Sequence, residues 1–168
     1  PATKSQPKEM LPVARKPIVQ YVAEELVNNG VKQILFVTGR GKSSIENHFD
    51  HDPELSRLLE QSNKQELLDA LDFSELKANY FYTRQPFQKG LGDAILCGES
   101  FAGQGPFVVA LGDSIIGLNG QARLIAQMVE LFETHHASAV VAVEEVPREA
   151  VRNYGIIEPA SMDGNVIR

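Results

Sequence analysis

The stretch PATKSQPKEMLP sets Lys4 and Lys8 among prolines, with Glu9 directly after the second lysine. Pro1, Pro7 and Pro12 fix φ and remove backbone donors, and a proline inside a helix costs roughly 3 kcal/mol, so an uninterrupted helix is disfavoured. Two cations on a stiffened loop make either a solvated tail or a phosphate site. Further along, LGD closes an apolar run and puts Asp113 where a strand should end. In open α/β sheets ligands gather beyond the carboxyl ends of strands. A carboxylate there suits Mg²⁺, which takes one or two carboxylates together with phosphate oxygens and water. The same residue could instead cap the turn that follows. QKGLGDA places Gly90 and Gly92 ahead of a helix. Such glycines let a planar ligand lie against backbone amides, or simply make a turn.

Other candidates carry less. TGRGKSS has the look of a phosphate loop but lacks the G-x-x-x-x-G-K-[ST] spacing, so it reads as a strand-to-helix turn. His48, His51, His135 and His136 fall near helix ends and have no cysteine partner, which disfavours zinc and favours a solvated or capping role. No G-x-S-x-G motif marks a serine nucleophile. The single cysteine, Cys97, excludes an internal disulfide, reads as a small buried apolar residue, and suits a reducing, cytoplasmic setting.

These residues need a scaffold, and the hydrophobic pattern supplies one. Residues 17–29 read as a helix, with Pro17 in its first turn, Ile18, Val22, Leu26 and Val27 on one stripe, and Gly30 as the stop. ILFV is a continuous apolar run, the mark of a strand buried on both faces. Residues 43–49 suggest a short helix capped by Ser43 or Ser44. One or two surface helices cover 53–72, a strand covers 78–85, and a helix entered through glycines covers 90–99. Residues 106–113 read as a second buried strand, 137–146 as a third, and YGIIE as a short one. A long amphipathic helix over 120–135 should turn Leu124, Met128, Leu131 and Phe132 inward. Strands alternating with helices predict an α/β fold with a mostly parallel sheet and helices on both faces.

Bulk composition sets the bounds. At 168 residues the chain is one domain or most of one, with 43% hydrophobic and 23% charged residues. A net charge of −6 opposes broad nucleic-acid binding, which wants a basic face, but leaves room for a local cationic pocket. No apolar run approaches the roughly 20 residues that span a membrane.

Taken in order, PATKSQPKEMLPVARKPIVQY, ILFVTGRGKSSIENHFD, RQPFQKGLGDAILC, FVVALGDSI and NYGIIEP resemble the bacterial UTP–glucose-1-phosphate uridylyltransferases, also called UDP-glucose pyrophosphorylases. PATK…PKEMLP and ENHFD are specific to that branch; LGD is shared more widely. The resemblance implies a Rossmann-like nucleotidyltransferase fold and a reaction that joins UTP and glucose 1-phosphate into UDP-glucose and pyrophosphate with Mg²⁺. It implies that Lys8 is catalytic at the phosphates, that Glu9 lines the nucleotide pocket, and that Gln85 and Gly90 recognise uracil. Asp113 would hold Mg²⁺, and Gly155 would approach the sugar through its backbone. It also implies a homodimer or homotetramer, with neither nucleic acid nor membrane as partner. A glucose-1-phosphate thymidylyltransferase and a weakly catalytic regulatory paralogue that binds nucleotide sugar are the alternatives.

The match has departures. The family's G-x-G-T-R loop belongs before PATK, and its V-E-K-P segment and second metal-binding aspartate belong after NVIR, so residues 1–168 read as a nucleotidyltransferase domain incomplete at both ends. Asp93 stands in GLGDA where many relatives carry histidine.

Overall fold

The computed structural model describes residues 3–71, 78–116, 123–164 and 166–167. The chain divides into two units, Pro1–Val129 and Glu130–Arg168.

The first unit is built around one helix and one parallel strand pair. Helix α1 runs Ile18–Asn28. Pro17 is its N-cap, where the missing N–H costs nothing because the first turn has no acceptor for it. The chain enters through a small antiparallel ribbon, β1 (Pro12–Val13) with β2 (Lys16–Pro17). Val19, Val22, Ala23 and Leu26 of α1 are buried. They meet Ile34 of strand β3 (Gln33–Thr38), Ile45 and Phe49 of helix α2 (Ser43–Phe49), and Ile125 of helix α7 (Leu124–Thr134). The spacing Ile45 to Phe49 is one helical turn, so both residues face the core together.

Strand β3 pairs in parallel with β4 (Asn79–Arg84), from Gln33 opposite Asn79 to Thr38 opposite Arg84. The ladder extends past both strands: Asn79 N–H donates to Lys32 carbonyl at 2.9 Å, and Gln85 N–H donates to Thr38 carbonyl at 2.9 Å. The loops that follow β3 and β4 therefore leave the sheet side by side, at the end where α/β folds bind ligands.

Helices α3 (Pro53–Gln61) and α4 (Gln65–Leu71) follow α2. Asp52 caps α3, accepting from Glu54 N–H at 3.1 Å and Leu55 N–H at 2.9 Å. Asp52→Ala is expected to cost about 1 kcal/mol of stability. Urea unfolding of the variant beside the wild type checks this. Helices α5 (Leu91–Leu96) and α6 (Glu99–Ala102) come after β4. In the second unit, a 3-10 turn covers Arg148–Asn153, and β5 (Met162–Asp163) pairs antiparallel with β6 (Val166–Ile167).

The α/β pattern and the parallel pair match the sequence expectation, but three expected strands are not seen among the described residues. Residues 106–113, 137–146 and 154–158 carry no strand among the described residues. Phe107 is 60% exposed and Val141 75% exposed. An apolar run specifies burial only. A strand also needs a neighbour to take its N–H and C=O groups, and these segments have no ladder partner among the described residues.

Smaller corrections have local causes. Lys42, not Ser43 or Ser44, is the N-cap of α2; among the described residues no side chain caps that end and the buried Ser44 Oγ meets no partner. The last expected helix is α7; Leu124, Met128, Leu131 and Phe132 are half-buried on it, and Ile125 is the buried residue. The expected residues 120–122 lie outside the described ones. Cys97 is free and half-buried rather than enclosed.

Candidate active site

Lys8 and Glu9 share a single 3-10 turn, Lys8–Met10. Pro7 starts it with an extended backbone, and two bonds close it: Met10 N–H to Pro7 carbonyl at 3.0 Å, and Leu11 N–H to Lys8 carbonyl at 3.1 Å. Such a turn places neighbouring side chains on different sides. The Lys8 ammonium, 61% exposed at its side chain, forms an ion pair with Asp113 Oδ2. Glu9 goes inward and is only 8% exposed. The hydrogen bond to Asp113, and then the charge of that carboxylate, raise the Lys8 pKa above the ordinary lysine value.

Glu9 is not left as a lone buried charge. Lys42 Nζ donates to Glu9 Oε1 at 2.6 Å, across 33 residues of sequence. Glu9 Oε2 is buried and has no hydrogen-bond partner among the described residues. Behind Glu9 lies Gly112, where an added Cβ would sit 3.3 Å from Glu9 Cγ. The glycine of LGD therefore makes room for the Glu9 stem, while the aspartate after it receives Lys8. The sequence gives Lys42 no role, because TGRGKSS reads as a strand-to-helix turn. The available signal was a lysine at the carboxyl end of a parallel strand.

Gln85 and Gly90 also come together. Gln85 Nε2 donates to Gly90 carbonyl at 3.2 Å and to Asp93 Oδ2 at 2.7 Å. Both partners are pure acceptors, so the amide orientation is fixed and both its hydrogens are used. Its Oε1 is the remaining acceptor. Gly90 has φ +101°, a backbone conformation that a side chain disfavours, as it caps α5. Asp93, marked in the sequence only as a departure, is thus the partner that orients Gln85.

Gly155 belongs to the second unit, and an added Cβ there would meet nothing within 4 Å. Nothing in its described surroundings requires glycine. His48 departs from the solvated reading: it lies against Gln20 Oε1 at 3.0 Å and edge-on to Phe49 at 5.1 Å, and burial lowers its pKa. Among the described residues, no group of three or more His, Cys, Asp and Glu side chains could hold a metal ion by itself, and no helix is long and apolar enough to cross a membrane.

Comparison with known proteins gives the chain's family. The profile of the nucleotidyl transferase family matches residues 1–168. A protein of Methanocaldococcus jannaschii, provisionally named a UTP–glucose-1-phosphate uridylyltransferase, is 49% identical over 168 residues, covering 100% of this chain and 58% of its own. The UTP–glucose-1-phosphate uridylyltransferase of Bacillus subtilis is 43% identical over 164 residues, covering 98% of this chain and 55% of its own. The solved structure of the UTP-bound UGPase from Acinetobacter baumannii superposes with a TM-score of 0.86 at 38% identity, covering 98% of this chain and 57% of that one. The chain thus spans a little over half the length of the relatives it matches. By sequence along its whole length, and by an α/β fold of the expected Rossmann-like nucleotidyltransferase kind, the chain belongs to the nucleotidyl transferase family.

Proposed function

We propose that this chain is the nucleotidyl-transfer part of an enzyme that makes UDP-glucose and pyrophosphate from UTP and glucose 1-phosphate. The observation that carries this is the Lys8–Asp113 pair beside the buried Glu9. It sets an exposed cation and a hard oxygen donor within reach of each other, as a triphosphate with a divalent cation requires. The names of the relatives supply the substrates.

The chemistry follows from these groups. An oxygen of the sugar phosphate attacks the α-phosphorus of UTP. The bond from that phosphorus to the bridging oxygen breaks, and pyrophosphate leaves with the electron pair. The attacking oxygen is already anionic, so no strong general base is needed. Catalysis is positioning and charge neutralisation. Lys8 exchanges Asp113 for phosphate oxygens when the nucleotide enters. Its exposed side chain is free to do so, and the exchange leaves a carboxylate oxygen that already accommodates a cation. Asp113 fits Mg²⁺ on that ground, with phosphate and water completing the shell. When bound, the ion neutralises charge on the phosphates and the leaving group.

Gln85 Oε1, the acceptor left over, suits the N3–H of uracil. Cytosine presents an acceptor at the same place and would be refused. Thymine carries the same N3–H, so this contact does not separate UTP from dTTP. The sugar is met by Gly155. The enzyme works in the cytoplasm as a homodimer or homotetramer.

The test is pyrophosphate release by the full-length protein with glucose 1-phosphate and UTP, dTTP or CTP, with and without Mg²⁺. Mg²⁺-dependent release that favours UTP is expected. Preference for dTTP points to the thymidylyl enzyme, and tight UTP binding with no release to a regulatory paralogue. Either result rejects the proposal.

A further inference from the structure

We propose that Lys42 is a positioning residue of this active site: its contact with Glu9 anchors the Lys8–Met10 turn, and so presents Lys8 to Asp113. The inference rests on the reading that Lys8 serves the reacting phosphates.

Four observations carry it. The turn that holds Lys8 is three residues long and closed by two backbone bonds, too little to hold its own shape. Its most buried residue, Glu9, is a carboxylate, so beside Met10, which packs partly buried against the core, the turn has a charged anchor. That carboxylate is held at 2.6 Å by Lys42 and backed by the bare face of Gly112. Lys42 is itself fixed: its N–H donates to Gly39 carbonyl at 3.3 Å, its carbonyl accepts from Ile45 N–H at 3.0 Å, and Ile45 is buried in the core.

The two ion pairs run through neighbouring residues. Lys8 and Glu9 are adjacent, as are Asp113 and Gly112. Moving Glu9 away from Gly112 carries Lys8 away from Asp113. Without Lys42 the Glu9 carboxylate is buried and uncompensated, which is costly enough that the turn must move outward or the carboxyl group must take a proton. Among the described residues, Lys42 makes no hydrogen bond or ion pair with Lys8 or Asp113. It acts through Glu9, from the loop after β3.

The test is Lys42→Met in the full-length protein, with Lys42→Arg as the conservative variant. The first readout is amide hydrogen exchange at Met10 and Leu11, whose N–H groups close the turn. Exchange there is expected to speed at least about tenfold in Lys42→Met and to stay near the wild-type rate in Lys42→Arg. The second readout is turnover: kcat is expected to fall at least about tenfold in Lys42→Met, KM for glucose 1-phosphate to change less than about threefold, and Lys42→Arg to recover most of the loss. Unchanged exchange at Met10 and Leu11 in folded Lys42→Met overturns the inference, whatever the turnover. Faster exchange with full turnover overturns the functional half. Faster exchange in a protein whose wild type releases no pyrophosphate supports the anchoring and rejects the proposed activity instead. If Lys42→Met does not fold, Glu9→Gln removes the same ion pair from the other side and the same exchange decides.

Discussion

Lys8→Ala is expected to lower kcat about 100- to 1000-fold while leaving the protein folded. A lysine and a phosphate oxygen about 4 Å apart interact by about 4 kcal/mol at an effective dielectric of about 20. Each 1.36 kcal/mol is about tenfold in rate, so the full term corresponds to about a thousandfold. Desolvation of the lysine and the phosphate takes back part of it, and losses of about 100- to 1000-fold are usual when one charge-stabilising donor is removed. Stability is a separate matter. The Lys8 side chain is mostly exposed, and an exposed ion pair contributes about 0–1 kcal/mol. Steady-state kinetics and urea unfolding on the same samples separate the two effects. A fall in folded protein that matches the fall in kcat would remove Lys8 from catalysis and leave it a structural residue.

The site was legible where chemistry needs rare residue types, and obscure where it needs support. Lys8 stood out because prolines surround it, and Asp113 because a carboxylate ends an apolar run. The structure pairs them. Gly90 stood out as a glycine ahead of a helix, Gln85 came from the resemblance to relatives, and the two meet through a hydrogen bond. Lys42 and Asp93 were not assigned roles, because each acts on a neighbour through a contact that depends on the tertiary fold. Lys42 and Glu9 are 33 residues apart, and no local pattern joins them.

The fold divides in the same way. Helix α1 follows from apolar spacing and a proline at its start, both local signals. Strand β3 was found because β4 exists to pair with it. The run FVVALGD has equal β-propensity, yet its N–H and C=O groups meet no ladder partner among the described residues. Propensity is a property of the segment, and a strand is a property of two.

The ENHFD motif shows how a family-specific sequence can owe its character to packing. Phe49 is 6% exposed. Its ring lies 4.9 Å from Phe36 and 4.9 Å from Tyr80, by centroids, and so joins α2 to both parallel strands. Phe49→Ala is expected to destabilise the fold by about 3–5 kcal/mol, from lost transfer energy and the cavity left behind. That is a large share of the roughly 5–15 kcal/mol that holds a typical domain together. Helix α2 is the element whose N-cap is Lys42, so loosening its far end also frees the lysine that holds Glu9. Phe49→Leu keeps an apolar side chain in the space and should cost clearly less. Urea midpoints of the two variants, read with kcat below the unfolding transition, distinguish packing from chemistry. A Phe49→Ala protein of wild-type stability with reduced kcat would mean that the ring acts on the site directly. Parallel loss of stability, with the folded fraction of Phe49→Leu near full activity, is the outcome that packing requires.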